Sequence, residues 1–306
     1  MTNPKLLDVS MLQRMLESDN PPWLVDTRPL EDWQAGTLPG AISLNVYDYF
    51  IPQSDSAGIL TMRRATRQAY KRLGIDQRPC VFFEQQTGMR SPRGLWFDEF
   101  IGRGNGAILD GGVDAWLSAG LSLAPGHAPA NASTQASSRA SGRAKAMTAA
   151  IGESAAEGER EEDSHHTHLV NEADNALVAT IDEVLAADGI GTVVLDVRRR
   201  SEFNASFVHD CCARAGRIPH ARFIFWEDVL RDGKYRDADA LKHIAALAGL
   251  TPEQRILIYC HRGARAATVR YALLAAGFNN IAIFVGSWHE WAQRSDLPIH
   301  IGEPLA

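Results

Sequence analysis

Residues 255 to 277 read Arg255-Ile-Leu-Ile-Tyr-Cys260-His-Arg-Gly-Ala-Arg265-Ala-Ala-Thr-Val-Arg-Tyr-Ala-Leu-Leu-Ala-Ala-Gly277. Ile256 to Tyr259 form a short, continuous apolar run, the pattern of a strand buried on both faces of a parallel sheet. From Ala266 the spacing becomes helical, with Ala266, Val269, Leu273 and Ala276 on one face and Gly277 as a left-handed stop. Between them lies a short loop, Cys260 to Arg265, holding one Gly and three side chains able to carry positive charge. A strand entering a helix through such a loop aims backbone N–H groups at its centre, where Cys260 sits.

That setting predicts an activated thiol. A helix N-terminus and neighbouring Arg lower a cysteine pKa of roughly 8.5 by one unit or more. Arg262, Arg265 and His261 are expected to favour the thiolate and to attract an anionic substrate. Cys260 is therefore the candidate nucleophile. The competing reading is a buried structural cysteine, because free Cys is among the most buried residue types.

Working outward, the 306 residues predict two domains. A net charge of −6 argues against a general nucleic-acid binder. Cys80, Cys211, Cys212 and Cys260 are too few and too scattered for a disulfide framework. No signal-peptide pattern is present, and no apolar run approaches the ~18 residues of a membrane span. A soluble, cytoplasmic protein without membrane contact is expected.

An internal repeat organises the chain. Thr192-Val-Val-Leu-Asp196-Val-Arg198 matches Trp23-Leu-Val-Asp26-Thr-Arg28, and Gly216-Arg-Ile-Pro-His-Ala221 matches Gly36-Thr-Leu-Pro-Gly-Ala41. Glu202-Phe203 matches either Glu31 or Asp32-Trp33, depending on a gap. Ile256 to Cys260 matches Cys80 to Glu84, and Val285 to Trp291 matches Asp110 to Trp116. Strands and helices alternate in each half, so the fold class expected is α/β, with two domains each built on a parallel sheet covered by helices on both faces. The units are placed at 1–124 and 173–306. Residues 125–172, rich in Ala, Ser and Gly and then acidic, read as a flexible linker.

Local features carry further expectations. Leu6 to Leu16, Met62 to Leu73, Ser91 to Phe100 and Ile181 to Ala187 read as helices. Cys80, Trp288 and Trp291 read as packing residues, Trp226 as part of a pocket wall, and Arg198 as the structural partner of Asp196. Cys211 and Cys212 lie in an insertion, Ala205 to Ala215, that the first half lacks. They read as ordinary surface thiols, with a resolving role toward Cys260 left open. Neither they nor His165, His166 and His168 show the spacing of a metal site, so neither a metal nor a cofactor is expected.

The strand, Cys, basic loop and helix resemble the active-site loop of the rhodanese family of sulfurtransferases. The Asp-x-Arg strand end, the Gly-x-Ile-Pro-x-Ala turn and the closing Trp resemble its other landmarks. The resemblance covers nearly the whole chain outside 125–172. Cys260 and Arg265 enclose four residues, where related phosphatases and arsenate reductases use five. The shorter ring implies a persulfide in place of a tetrahedral oxyanion. The resemblance further implies Cys260 as the catalytic residue, with His261, Arg262, Gly263, Ala264 and Arg265 binding substrate. Glu202 stands about where animal-type tandem members carry a substrate-binding Arg, so anchoring is expected from Arg262 and Arg265. The implied partners are a small anionic sulfur donor and a thiophilic acceptor, either a small molecule or a protein. Thiosulfate is preferred over 3-mercaptopyruvate, because His261-Arg262-Gly263 departs from the Gly-Ser-Gly of mercaptopyruvate enzymes. Glu84, replacing the cysteine, implies a silent first domain. A persulfide relay without turnover is the remaining alternative.

Overall fold

The computed structural model describes residues 5–50, 53–126 and 176–303. The segment read as a linker, with His165, His166 and His168, lies almost entirely outside them. The first half contains β1 (Leu6–Leu7), α1 (Val9–Leu16), β2 (Trp23–Asp26), α2 (Leu30–Ala35), β3 (Ile42–Ser43), α3 (Ser56–Leu73), β4 (Cys80–Phe83), α4 (Arg90–Phe100), β5 (Ala107–Leu109) and α5 (Gly112–Ser118). The second repeats this plan with β6 (Val178–Ala179), α6 (Ile181–Leu185), β7 (Thr192–Asp196), α7 (Arg200–Phe203) and β8 (Arg222–Phe223). A hairpin follows, β9 (Leu230–Arg231) and β10 (Lys234–Tyr235). Then come α8 (Ala238–Leu247), β11 (Arg255–Tyr259), α9 (Ala264–Ala275), β12 (Ile281–Phe284) and α10 (Ser287–Gln293).

Each half forms a five-stranded parallel sheet, in the orders β1-β5-β4-β2-β3 and β6-β12-β11-β7-β8. The central strands are apolar on both faces because helices cover both sides; Ile256 to Tyr259 are wholly buried. Asp26 pairs with Phe83, and Asp196 with Tyr259. Glu84 and Cys260 are therefore structural equivalents, each one residue beyond its strand. Between Asp196 and Phe203 the repeat needs no gap: Glu202-Phe203 corresponds to Asp32-Trp33, with Phe203 and Trp33 both buried.

Two helix starts lie well away from the sequence reading, for the same reason. Leu6–Leu7 is a strand, because Asp8 adopts an extended conformation and accepts a 2.7 Å hydrogen bond from the Met11 N–H, starting α1 after it. Asp55 likewise caps α3 through the Gly58 N–H at 2.7 Å, so that helix begins at Ser56, ahead of Met62.

The halves share one core. A single apolar cluster runs from Val25, Phe82 and Leu95 to Ile258, Val269 and Leu273. Helices α4 and α9 pack together, with Arg270 on Glu99 at 2.8 Å and the Thr268 hydroxyl donating to the Gly88 carbonyl at 2.7 Å. The hairpin, turning at Asp232-Gly233 with positive φ at both, reaches the first half. There the Thr87 N–H donates to the Gly233 carbonyl at 2.9 Å, and the Tyr235 N–H to Asp110 at 3.1 Å.

Candidate active site

The loop after β11 is held from several directions. Cys260 is 1 % exposed, and its Sγ accepts the Gly263 N–H at 3.1 Å. Gly263 has φ +85° and turns the chain into α9, whose first residue is Ala264. The start of α10 fixes the strand end: Ser287 Oγ accepts the Cys260 N–H at 3.3 Å, and the Trp288 and His289 N–H groups donate to the carbonyls of Cys260 and His261 at 3.0 and 3.1 Å.

The five loop residues expected to bind substrate are together, but their charges are not arranged as the sequence suggested. His261 supplies no positive charge. Burial, with His209, Arg262 and Arg265 nearby, pushes its pKa down to about 3, and its ring stacks on His209 at 3.9 Å between centroids. Arg265 is engaged in a two-pronged pair with Glu202, at 2.6 and 3.0 Å. Burial raises the Glu202 pKa, but Arg265 and Arg198 outweigh it and hold the carboxyl at about 2. Arg262 makes no ion pair among the described residues, and its guanidinium lies 5.0 Å from the Phe50 ring centre.

A cation from the other half completes the surroundings. Arg93 on α4, 5 % exposed, donates to the Arg262 carbonyl at 2.7 Å and to the Val46 carbonyl at 3.1 Å. Burial pushes its pKa down to about 10, opposed by Cys260 and Tyr47. No reading of the repeat could place it, because its counterpart position carries no clue to a contact across domains.

Asp196 and Arg198 pair at 2.7 Å, as do Asp26 and Arg28. In each half that Arg also donates to the carbonyl of the landmark glycine, Gly216 or Gly36. These motifs meet to brace the sheet's C-terminal end. Cys80, fully buried, has its thiol pushed up to about 12 by burial, and Trp288 and Trp291 are buried. Trp226 packs against the shared core.

The equivalent loop of the first half is filled from within. Glu84 Oε1 accepts the N–H groups of Gly88, Arg90 and Ser91 at 3.1, 2.9 and 2.8 Å, and the Ser91 hydroxyl at 2.9 Å. The loop geometry thus converges donors on a point beyond the first side-chain atoms.

The insertion does not lie free on the surface. Cys211 and Cys212 Sγ approach His261 Nε2 at 3.3 and 3.5 Å.

Comparison with known proteins agrees with the fold. The family model for the rhodanese-like domain matches residues 8–119 and 180–294. A 3-mercaptopyruvate sulfurtransferase of Escherichia coli O157:H7 is 25% identical over 284 residues, 92% of this chain and 88% of the relative. A thiosulfate sulfurtransferase of Corynebacterium glutamicum is 35% identical over 142 residues, 44% of this chain and 46% of the relative. Among solved structures, SseA from Escherichia coli, described under the rhodanese fold of 3-mercaptopyruvate sulfotransferases, superposes with a TM-score of 0.67 at 20% identity, covering 94% of this chain and 99% of its own.

Proposed function

The chain belongs to the rhodanese family and is a rhodanese-type sulfurtransferase, and we propose that it takes sulfane sulfur from thiosulfate through a persulfide on Cys260. The Cys260 thiolate attacks the outer sulfur of thiosulfate; a new S–S bond forms, the donor's S–S bond breaks, and its electron pair leaves with sulfite. Cyanide or a thiol, small or on a protein, then attacks the outer sulfur and returns the thiolate. With cyanide the product is thiocyanate.

One observation carries this reading. In the first half the loop donors converge on the Glu84 carboxylate, which reaches beyond the length of a cysteine side chain. The second loop starts from Cys260, whose Sγ already accepts the Gly263 N–H. Adding one sulfur extends that side chain further into its own loop, as the longer Glu84 side chain extends into the other. The fit favours a persulfide, and Arg262 supplies the charge that draws in a dianion. The first domain, with a carboxylate in place of the thiol, is catalytically silent and serves as a wall that contributes Arg93.

The similarity to 3-mercaptopyruvate sulfurtransferases over most of the chain favours a second reading, with mercaptopyruvate as donor. Thiocyanate production from each donor, with intact mass, tests both. We expect thiosulfate to exceed mercaptopyruvate at least tenfold in kcat/KM, with a one-sulfur adduct, and Cys260→Ala to lose both signals. The reverse preference would overturn thiosulfate as donor. An adduct without turnover would favour a relay to a protein acceptor.

A further inference from the structure

The insertion Ala205 to Ala215 brings Cys211 and Cys212 against the residue that follows the candidate nucleophile. Cys211 Sγ, Cys212 Sγ and His261 Nε2 all lie within 4.8 Å of one another. The two S···N separations are 3.3 and 3.5 Å. A tetrahedral zinc ion, with bonds of about 2.3 Å to sulfur and 2.0–2.1 Å to nitrogen, would hold such atoms about 3.6 Å apart.

We propose that Cys211, Cys212 and His261 form a binding site for a thiophilic d10 metal ion, of which zinc(II) is the probe. The ligand set is two thiolates and a neutral imidazole, the donors such ions select. Binding releases two thiol protons per ion and leaves the zinc complex without net charge.

The surroundings are built for this arrangement. The His261 ring is fixed by stacking on His209, whose own Nε2 faces Glu202 at 3.0 Å. Stacking and the Nε2 contacts leave the ring one orientation toward the sulfurs. The insertion is pinned from the other side: Gln293 donates to the Cys211 carbonyl at 2.8 Å, and Arg214 donates to the carbonyls of Trp291 and Leu297 at 3.0 and 2.9 Å. Cys211 is exposed and Cys212 buried, so an ion enters from solvent and ends against the protein. No spacing in the sequence announces the site, because one ligand lies about fifty residues from the other two.

An ion here would tie the insertion to the Cys260 loop and slow access to the nucleophile. That consequence rests on the sulfurtransferase reading; the binding does not.

The test is zinc titration of the reduced full-length chain against a chromophoric chelator, with cobalt(II) absorption in parallel. The expected result is one equivalent bound, and thiolate-to-cobalt charge-transfer intensity appropriate to two thiolates. Affinity should be unchanged in Cys260→Ser and at least 100-fold weaker in the Cys211→Ser/Cys212→Ser double variant. Each single variant should keep roughly half the cobalt intensity, which holds the test open should the double variant fold poorly. Added zinc should inhibit turnover of the wild type and spare the double variant. Equal affinity in the double variant would assign the zinc elsewhere, for example to His165, His166 and His168, and overturn the proposal. Loss of binding in Cys260→Ser, or no stoichiometric binding at all, would overturn it too.

Discussion

Arg262 in the loop and Arg265 in the first turn of α9 stand three residues apart, yet their situations are opposite. The Arg265 guanidinium is fixed on Glu202, whereas Arg262 lies over Phe50 with no carboxylate paired to it among the described residues. A hydrogen bond to a charged group contributes about 1.5–3 kcal/mol. We therefore expect Arg262→Ala to lower kcat/KM for thiosulfate about 10- to 100-fold, mostly through KM. A loss confined to kcat would contradict the role in donor capture proposed for it. Glu202→Gln acts on stability instead. Removing one partner of a buried pair costs about 3 kcal/mol or more, and chemical denaturation should show it.

These residues also fix the response to acid. Glu202 titrates at about 2 when folded and 4.5 otherwise. Its stabilisation is complete above pH 4.5 and disappears as pH falls through 2. His261, lowered from 6.5 to about 3, refuses a proton that the unfolded chain accepts. Its contribution is complete above pH 6.5 and declines from there toward 3. The melting temperature should therefore fall with pH below 6.5, and less steeply between 6.5 and 4.5 in His261→Gln. An unchanged slope would remove His261 as a cause.

At the scale of elements, α9 is flanked by glycines with positive φ, +85° at Gly263 and +94° at Gly277. A side chain in that conformation costs about 1–2 kcal/mol, so each Gly→Ala change should lower the melting temperature by a few degrees. Their effects on turnover should separate. A Cβ at Gly277 meets nothing within 4 Å, but one at Gly263 would stand 3.3 Å from Arg93 Nη1, beside the N–H that binds the Cys260 sulfur. Gly263→Ala is expected to reduce kcat at least tenfold and Gly277→Ala to leave it intact. Equal kinetic effects would show that the loop conformation does not govern the chemistry.

At the scale of the molecule, the first domain is half of one core and one wall of the site. Arg93 is its reach into the second domain: a buried cation held by two carbonyls, with no carboxylate bound to it among the described residues. Arg93→Met removes the charge but leaves the Val46 and Arg262 carbonyls without their donor, and an orphaned buried acceptor costs about 1–3 kcal/mol. Arg93→Met is accordingly expected to lower stability by a few kcal/mol and, in the protein that remains folded, to lower kcat/KM at least tenfold. Denaturation curves and steady-state rates on the same preparation would check both halves. A variant that keeps full activity would reduce the first domain to packing.

The sequence alone determined what depends on neighbours along the chain. An apolar run, a glycine able to take positive φ and a helical period identify the β11–α9 unit around Cys260, and its repetition around Glu84 identifies the two-domain plan. Asp196 and Arg198 are two residues apart, so their pairing was equally legible. Helix starts at Asp8 and Asp55 were missed because caps read as ordinary acids until the backbone shows them bonded. Only the tertiary structure decided which charges are available. It brought Arg93 across the domain boundary, set Glu202 against Arg265, buried His261 into neutrality and folded Cys211 and Cys212 onto it. Charge balance and ligand geometry depend on distances in space between residues far apart in sequence, and local patterning carries no record of those.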